Sequence, residues 1–79
     1  MSISTRRANT NIAVGVSIDD ESLHVQLVDG RVISVPLEWF PRLRDATPAQ
    51  RANWWLIGKG IGIHWEEIDE DLSVPALLE

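Results

Sequence analysis

Apolar and polar residues alternate through the first half of the chain, and this period of two predicts half-buried β-strands. The first strand is expected to begin at Ala13, the second to lie around Val25, and the third to run from Val32 to about Pro36. Short turns between them predict a three-stranded antiparallel meander. The residues expected to share a face in the first two strands are Val14, Val16 and Ile18, then Leu23, Val25 and Leu27.

The link between the second and third strands, residues 28–30, can form in two registers. A two-residue turn would pair Val25 with Ser34 and would mix polar and apolar residues on each face. A three-residue loop, with its glycine in the left-handed conformation, pairs Val25 with Ile33 and keeps one face apolar. We predict the three-residue loop, which leaves His24 on the outward face as a solvated strand residue.

A short helical segment is predicted after the third strand. Thr47 is a candidate N-cap, Pro48 suits the first helical position, and Gln50 can close a capping box. The helix must be short because strand-forming residues resume at Trp54. The apolar residues just before this helix, which are expected to lie across the sheet, are Trp39, Phe40 and Leu43.

The stretch from Trp54 to Trp65 predicts a second hairpin, with residues 58–60 as a three-residue loop. In this register Trp55 faces Ile63, and Trp65 continues the same face, which is the expected core face. The opposite face then presents Trp54, Leu56, Gly62 and His64. A face this aromatic must be covered by a helix or by a partner. Which face is buried stays open, because either register keeps some tryptophan inside.

The C-terminal part is rich in carboxylates and predicts a turn followed by a helical turn. Residues 68–72 are expected to form a tight acidic turn in which Asp69 or Asp71 caps a helical turn. Ser73 is a second N-cap candidate, for a terminal helical turn that ends at about Leu78. The two leucines at its end are expected to pack or to dock.

These elements together predict a small α+β domain over residues 12–79, preceded by a flexible tail over residues 1–11. Its expected order is a three-stranded meander, a short helical segment, a β-hairpin and a short C-terminal helical turn. A chain of 79 residues is near the size at which one core is barely sufficient, and its four tryptophans compensate because each can bury a large apolar area.

Composition also bounds the compartment. The absence of cysteine excludes disulfides and thiolate zinc sites and fits a reducing compartment. No apolar run is long enough to span a bilayer, and the N-terminus lacks the apolar core of a signal peptide. We therefore expect a cytoplasmic protein that has no membrane partner.

Charge is distributed unevenly along the chain. Seven basic against twelve acidic side chains give a net charge of −5. Residues 66–79 carry six carboxylates and no Lys or Arg, whereas residues 31–59 carry five basic groups. This asymmetry argues against nonspecific nucleic-acid binding over the whole surface and favours a basic partner.

The residues that could carry catalysis do not form a set. The glycines at 58, 60 and 62 have the spacing GxGxG and precede a strand, so they predict a turn and not a phosphate cradle. His64 and Glu66 share a strand face while Glu67 points away, so at most two metal ligands converge there. No cysteine is present, and no serine is in a context that pairs it with a histidine base. We expect no enzymatic activity, no cofactor and no metal.

The motifs of residues 13–78 together resemble the small bacterial family known as domain of unknown function 2442. The segments that carry the resemblance are the apolar strand with Asp29-Gly30, Trp39 to Leu43, Ala46-Thr47, Asn53-Trp54, Leu56 to Trp65, Asp69 to Val74, and Leu77-Leu78. Glu66 departs from the family, which often has proline there. The resemblance implies an α+β domain with five strands in one sheet and no assigned enzymatic activity. In some relatives it also implies a two-gene arrangement typical of toxin–antitoxin pairs.

Three functional hypotheses follow. The first is a non-enzymatic, antitoxin-like or regulatory subunit that pairs with a small basic protein, through tryptophan anchors beside negative charge. The residues expected to contact this partner are Trp54, His64, Trp65, Asp69, Glu70 and Asp71. The second is a nucleic-acid-binding regulator that uses Arg6, Arg7, Arg42, Arg44, Arg51 and Lys59. The third is a homodimer formed through an exposed sheet edge.

Overall fold

A computed structural model describes residues 11–78 of the chain. Within this range two antiparallel sheets of three strands each are joined by short helices. The strands are β1 Ala13–Ile18, β2 Ser22–Leu27, β3 Val32–Pro36, β4 Trp54–Ile57, β5 Gly62–Trp65 and β6 Glu70–Ser73. The α-helices are α1 Pro41–Arg44, α2 Pro48–Ala52 and α3 Val74–Leu77. The α+β class is confirmed, and the predicted tail up to Thr10, with Arg6 and Arg7, lies outside the described residues.

The first sheet has the strand order β1-β2-β3. The hairpin formed by β2 and β3 has the predicted register. Val25 pairs with Ile33, and Gly30 has a φ of 96°, as the three-residue loop requires. The expected alternation in β1 is wrong at one point. A bulge between Ala13 and Gly15 leaves Val14 55% exposed and buries Ala13 instead. The extra residue shifts the alternation, so Ala13 shares the core with the later residues of β1.

The second sheet has the order β4-β5-β6 and contains a strand that the sequence pattern did not predict. The acidic stretch is a turn only up to Asp69; from Glu70 to Ser73 the chain pairs with β5. Neither Asp69 nor Asp71 caps a helix, whereas Ser73 caps α3 as predicted, through a hydrogen bond from the Ala76 N–H. The six strands therefore form two sheets, in contrast to the single sheet that the family resemblance implied.

The second hairpin is shifted by one residue from the predicted register. Its loop has four residues, 58–61, because Gly58, Lys59 and Gly60 all have positive φ and the Ile61 N–H closes a turn on the Gly58 carbonyl. Trp54 consequently pairs with Trp65. A shift of one residue moves every side chain of a strand to the other face. In β4 the inward and outward residues are thus the reverse of those expected.

The buried residues of both sheets form one hydrophobic cluster. Leu23, Val25 and Leu27 contribute to it as predicted. The cluster is completed by Ala13, Val35, Leu37, Leu43, Ile63, Trp65, Leu72 and Val74.

The helices α2 and α3 begin where the sequence predicted. The capping box at Thr47 and Gln50 is present at the start of α2. Leu43 is buried and Phe40 packs against the core, but Trp39 is 64% exposed in a 3₁₀ turn and does not lie across the sheet. No helix among residues 11–78 is long and apolar enough to cross a membrane.

Candidate functional site

The outward side of the second sheet carries two cross-strand rows of residues. One row is Trp55, His64 and Asp71, and the other is Ile57, Gly62 and Ser73. We refer to these six residues as the outer face. Trp55 is 46% exposed and Ile57 is 41% exposed, so the face combines large apolar side chains with a carboxylate. Such a combination is typical of a binding surface.

His64 is held in place from three directions at the centre of the outer face. Its Nε2 lies 2.8 Å from Glu66 Oε1, its Nδ1 bonds Asp71 Oδ1, and its ring lies 5.2 Å from that of Trp55. The hydrogen bonds to Asp71 and then to Glu66 raise the pKa of His64 above its ordinary value of 6.5, because both carboxylates favour the imidazolium. Two exposed carboxylates, that of Glu66 just after β5 and that of Asp71 on β6, thus orient the ring.

The two tryptophans that were expected to contact a partner lie on the inner side of the sheet. Trp65 is 0% exposed, and its Nε1 donates a 3.0 Å hydrogen bond to the Arg51 carbonyl. Trp54, its neighbour on β4, packs against the core. The prediction that Trp65 contacts a partner is wrong, because Trp65 lies on the core face that the strand pattern assigned to it and is fully buried. Trp54 faces the core and is partly buried because the four-residue loop reverses β4. Trp55, which was assigned to the core, is the exposed tryptophan of the second sheet.

The acidic cluster at residues 69–71 is divided between three environments. Asp69 has a φ of 54° in the turn, and its carbonyl accepts a 2.7 Å hydrogen bond from Arg42 Nη1. Glu70 pairs with the buried Trp65 and is half-buried. Asp71 pairs with His64 on the outer face. Of the three predicted carboxylates, therefore, only Asp71 stands beside His64, and it is joined there by Glu66.

Comparisons with known proteins agree with this fold. The family model described as protein of unknown function, DUF2442, matches residues 13–79. The chain belongs to this family. DUF2442 therefore covers every strand and helix described above. The chain is also similar to the crystal structure of a protein of unknown function from Rhodospirillum rubrum ATCC 11170, with 30% identity and a TM-score of 0.72 over 85% of this chain and 83% of that one. No curated protein matches the chain.

In this DUF2442 domain the three described arginines of the proposed nucleic-acid patch, Arg42, Arg44 and Arg51, contact the protein itself. Arg51 donates from Nε to the Leu43 carbonyl at 2.9 Å and from Nη2 to the Arg44 carbonyl at 2.8 Å. Arg44 in turn forms an ion pair with Asp45. Lys59 lies apart from them, in the loop of the second hairpin. Arg42, Arg44 and Arg51 thus donate hydrogen bonds to carbonyl or carboxylate oxygens of the protein itself.

A second histidine cluster lies on the outward side of the first sheet. Ser34 Oγ is 2.7 Å from His24 Nδ1, and Asp19 Oδ2 is 2.8 Å from His24 Nε2. The expectation that no serine pairs with a histidine is therefore wrong, because the hairpin register sets Ser34 opposite His24. The hydrogen bond from His24, followed by those from the backbone N–H groups of Glu21 and Ser22, lowers the pKa of Asp19 to about 2.

The residue types of this cluster are those of a Ser-His-Asp triad, but its position does not suit acyl transfer. Ser34 and Asp19 are exposed, so a substrate held there would remain in water. Oxyanion stabilisation depends on donors that are fixed in a water-excluded site. We interpret the cluster as a cross-strand hydrogen-bond network. Among the described residues, no group of three His, Cys, Asp or Glu side chains has a geometry that could hold a metal ion.

Proposed function

We propose that this DUF2442 protein is a non-enzymatic protein-binding module, an antitoxin-like or regulatory subunit that pairs with a small basic protein in the cytoplasm. The observation that supports the proposal is the outer face, where Trp55 and Ile57 are exposed beside the carboxylates of Glu66 and Asp71. The antitoxin-like role comes from the family resemblance, and the binding role comes from the surface.

The outer face has the two components of a specific interface. Tryptophan in particular is enriched among the residues that dominate binding energy, and a branched aliphatic side chain next to it extends the apolar area. The carboxylates of Glu66 and Asp71 border this area and are 62% and 64% exposed. Exposed charges mainly raise the association rate and orient the partner. A basic partner is favoured because the whole chain has a net charge of −5.

The outer face is also ordered before it meets a partner. It lies on three paired strands, and His64 is bonded to carboxylates on both sides. Side chains that are already fixed lose less conformational entropy on binding. This favours recognition by a preformed surface over recognition by a segment that folds on contact.

The test is capture of a partner by the tagged full-length chain from a native host lysate, at low and at high salt, with mass spectrometry of what co-elutes. The variant is Trp55→Ser, and the matched control is Trp39→Ser, which removes another exposed tryptophan that is remote in sequence and lies outside the sheets. We expect a stoichiometric small basic protein to be retained by wild type and by the control but lost by Trp55→Ser, and to be weakened by salt.

Two results would contradict the proposal. One is equal retention of the same protein by Trp55→Ser and Trp39→Ser, which would show that the outer face is not the contact. The other is recovery of the chain alone, as a homodimer, or with nuclease-sensitive nucleic acid. A homodimer would favour the dimer hypothesis. Bound nucleic acid would favour a nucleic-acid interface formed by the basic residues Arg42, Arg44, Arg51 and Lys59.

A further inference from the structure

One end of the outer face contains a shallow hollow that sets it apart from the flat remainder of the sheet. Its volume is about 360 Å³, and it lies over Gly62, between Ile57 on β4 and Asp71 and Ser73 on β6. Gly62 is the middle residue of this cross-strand row, and the Ile57 side chain packs close over it. A Cβ at Gly62 would lie 2.9 Å from Ile57 Cγ1 and 3.3 Å from the Leu72 carbonyl oxygen, so any other residue there would push the Ile57 side chain out of its place beside the hollow.

The lining of the hollow is apolar on one side and anionic on the other. The apolar residues that line it are Ile57, Ile61 and Leu72, and Asp71 is the acidic residue in the lining. Asp71 Oδ1 is bonded to His64, but an ionised carboxylate can accept several hydrogen bonds. Its second oxygen can therefore accept from an incoming donor.

The cluster of His64, Asp71 and Glu66 beside the hollow keeps a negative charge in either state of His64. When the ring is protonated, its positive charge is opposed by both Asp71 and Glu66, which leaves one net negative charge. When the ring is neutral, two negative charges remain. The hollow therefore attracts a cation and not an anion. A partner side chain that suits both of its sides needs an apolar stem and a cationic end, a combination found in lysine and arginine.

We infer that the hollow over Gly62 receives a single lysine or arginine side chain of the partner, with the stem against Ile57 and the cation at Asp71. This inference deepens the proposed function and rests on it, because it names the chemical group that the outer face recognises. Trp55 is the apolar anchor of the interface, and the hollow supplies its selectivity for a basic partner.

The test uses peptides, so that it does not depend on capturing the partner. Acetyl-Gly-Arg-Gly-amide is titrated into the ¹⁵N-labelled full-length chain, with the citrulline peptide as a neutral probe of the same shape. We expect saturable shifts of the Gly62, Leu72 and Ser73 amide signals, with half-saturation in the millimolar range typical of one side chain. The citrulline peptide should bind at least about threefold more weakly, as expected for an exposed ion pair.

Two substitutions locate the contact within the protein. Asp71→Asn should weaken binding of the arginine peptide about threefold or more, whereas Asp69→Asn should leave it unchanged. The control removes the same charge two residues away, in the turn, and asparagine tolerates the positive φ of this position. Gly62→Ala, whose Cβ would displace the Ile57 side chain from the wall of the hollow, should weaken binding of the arginine peptide. Dispersed spectra for each variant show that the fold is retained.

The inference is overturned if arginine and citrulline peptides bind equally, if Asp71→Asn binds as wild type does, or if no saturable shift occurs below about 50 mM. Its failure can be separated from failure of the proposed function. If the peptide result is negative while Trp55→Ser still loses its captured protein, only the hollow is wrong. If the peptide binds as expected while the captured protein does not depend on Trp55, the hollow recognises a cation and the proposed interface is wrong.

Discussion

Substitution of Trp65 and Trp55 by phenylalanine tests directly which face of the second sheet is buried. Trp65 is 0% exposed and Trp55 is 46% exposed, although the two lie on adjacent paired strands. The replacement removes the same atoms at both positions. We expect Trp65→Phe to lower the free energy of unfolding much more than Trp55→Phe does.

The magnitude follows from what each indole contacts. Trp65→Phe removes the Nε1 donor of the 3.0 Å hydrogen bond to the Arg51 carbonyl and leaves a void within the core. An unpaired acceptor together with lost packing corresponds to about 2 kcal/mol. For a domain of this size, about 1 kcal/mol shifts Tm by roughly 4–8 °C. The expected fall in Tm is therefore roughly 8–16 °C for Trp65→Phe and under about 4 °C for Trp55→Phe, since surface substitutions usually change stability by no more than about 0.5 kcal/mol.

Far-UV circular dichroism is the suitable measurement, during heating and in urea, because the substitutions change tryptophan fluorescence itself. The variants should rank in the same order by Tm and by stability in urea. This agreement controls for changes in the unfolded state. If Trp55→Phe is as destabilising as Trp65→Phe, or more so, the register with a four-residue loop is wrong. The assignment of the outer face would then fail with it.

Three further predictions test separate parts of the fold. Gly60→Ala should destabilise the domain more than Gly30→Ala in urea denaturation, because both glycines have a φ of 96°, but a Cβ at Gly60 alone would lie 2.8 Å from a backbone oxygen, that of Ala13; equal losses would contradict this packing. Because its folded pKa is raised above 6.5, protonated His64 stabilises the fold fully below that pH and less as pH rises through the folded pKa. Urea denaturation should be measured at a series of pH values from 6.5 up through the folded pKa of His64. Over this range the wild type should lose more stability than His64→Gln, and parallel plots of stability against pH would refute the reasoning. Thr47→Ala should cost about 1 kcal/mol, and an unchanged urea midpoint would show that the capping box of α2 contributes nothing.

The elements that could be predicted from sequence are those that local patterns determine. The register of the β2–β3 hairpin followed from keeping one face apolar, since only one pairing of Val25 did so. The capping box at Thr47 and the N-cap at Ser73 followed from short-range hydrogen bonds that depend on few neighbours. These predictions held because the interaction that decides each of them lies within a few residues.

The errors come from backbone geometry that no apolar pattern determines. Both faces of β4 carry large apolar side chains, so the pattern could not choose between a three-residue and a four-residue loop at Gly58. The bulge at Val14 is invisible for the same reason, because alanine and valine are both acceptable in a core. The strand β6 was missed because the acidic residues Glu70 and Asp71 disfavour a strand by propensity, and pairing with β5 overrides that preference.

The error in β4 changes which tryptophan a partner could contact but not the chemical type of the surface. His64 is on the outward face in either register, since the loop reverses β4 and leaves the face of β5 unchanged. Asp71 joins His64 through the unpredicted strand β6, so the acidic partner of the histidine arrives by cross-strand pairing and not by a turn. A tryptophan beside His64 and a carboxylate was expected from sequence, and the structure provides both, with Trp55 in place of Trp54. The hypothesis of an aromatic and acidic binding surface therefore depends on the composition of two adjacent strands, whereas its residue assignments depend on one loop.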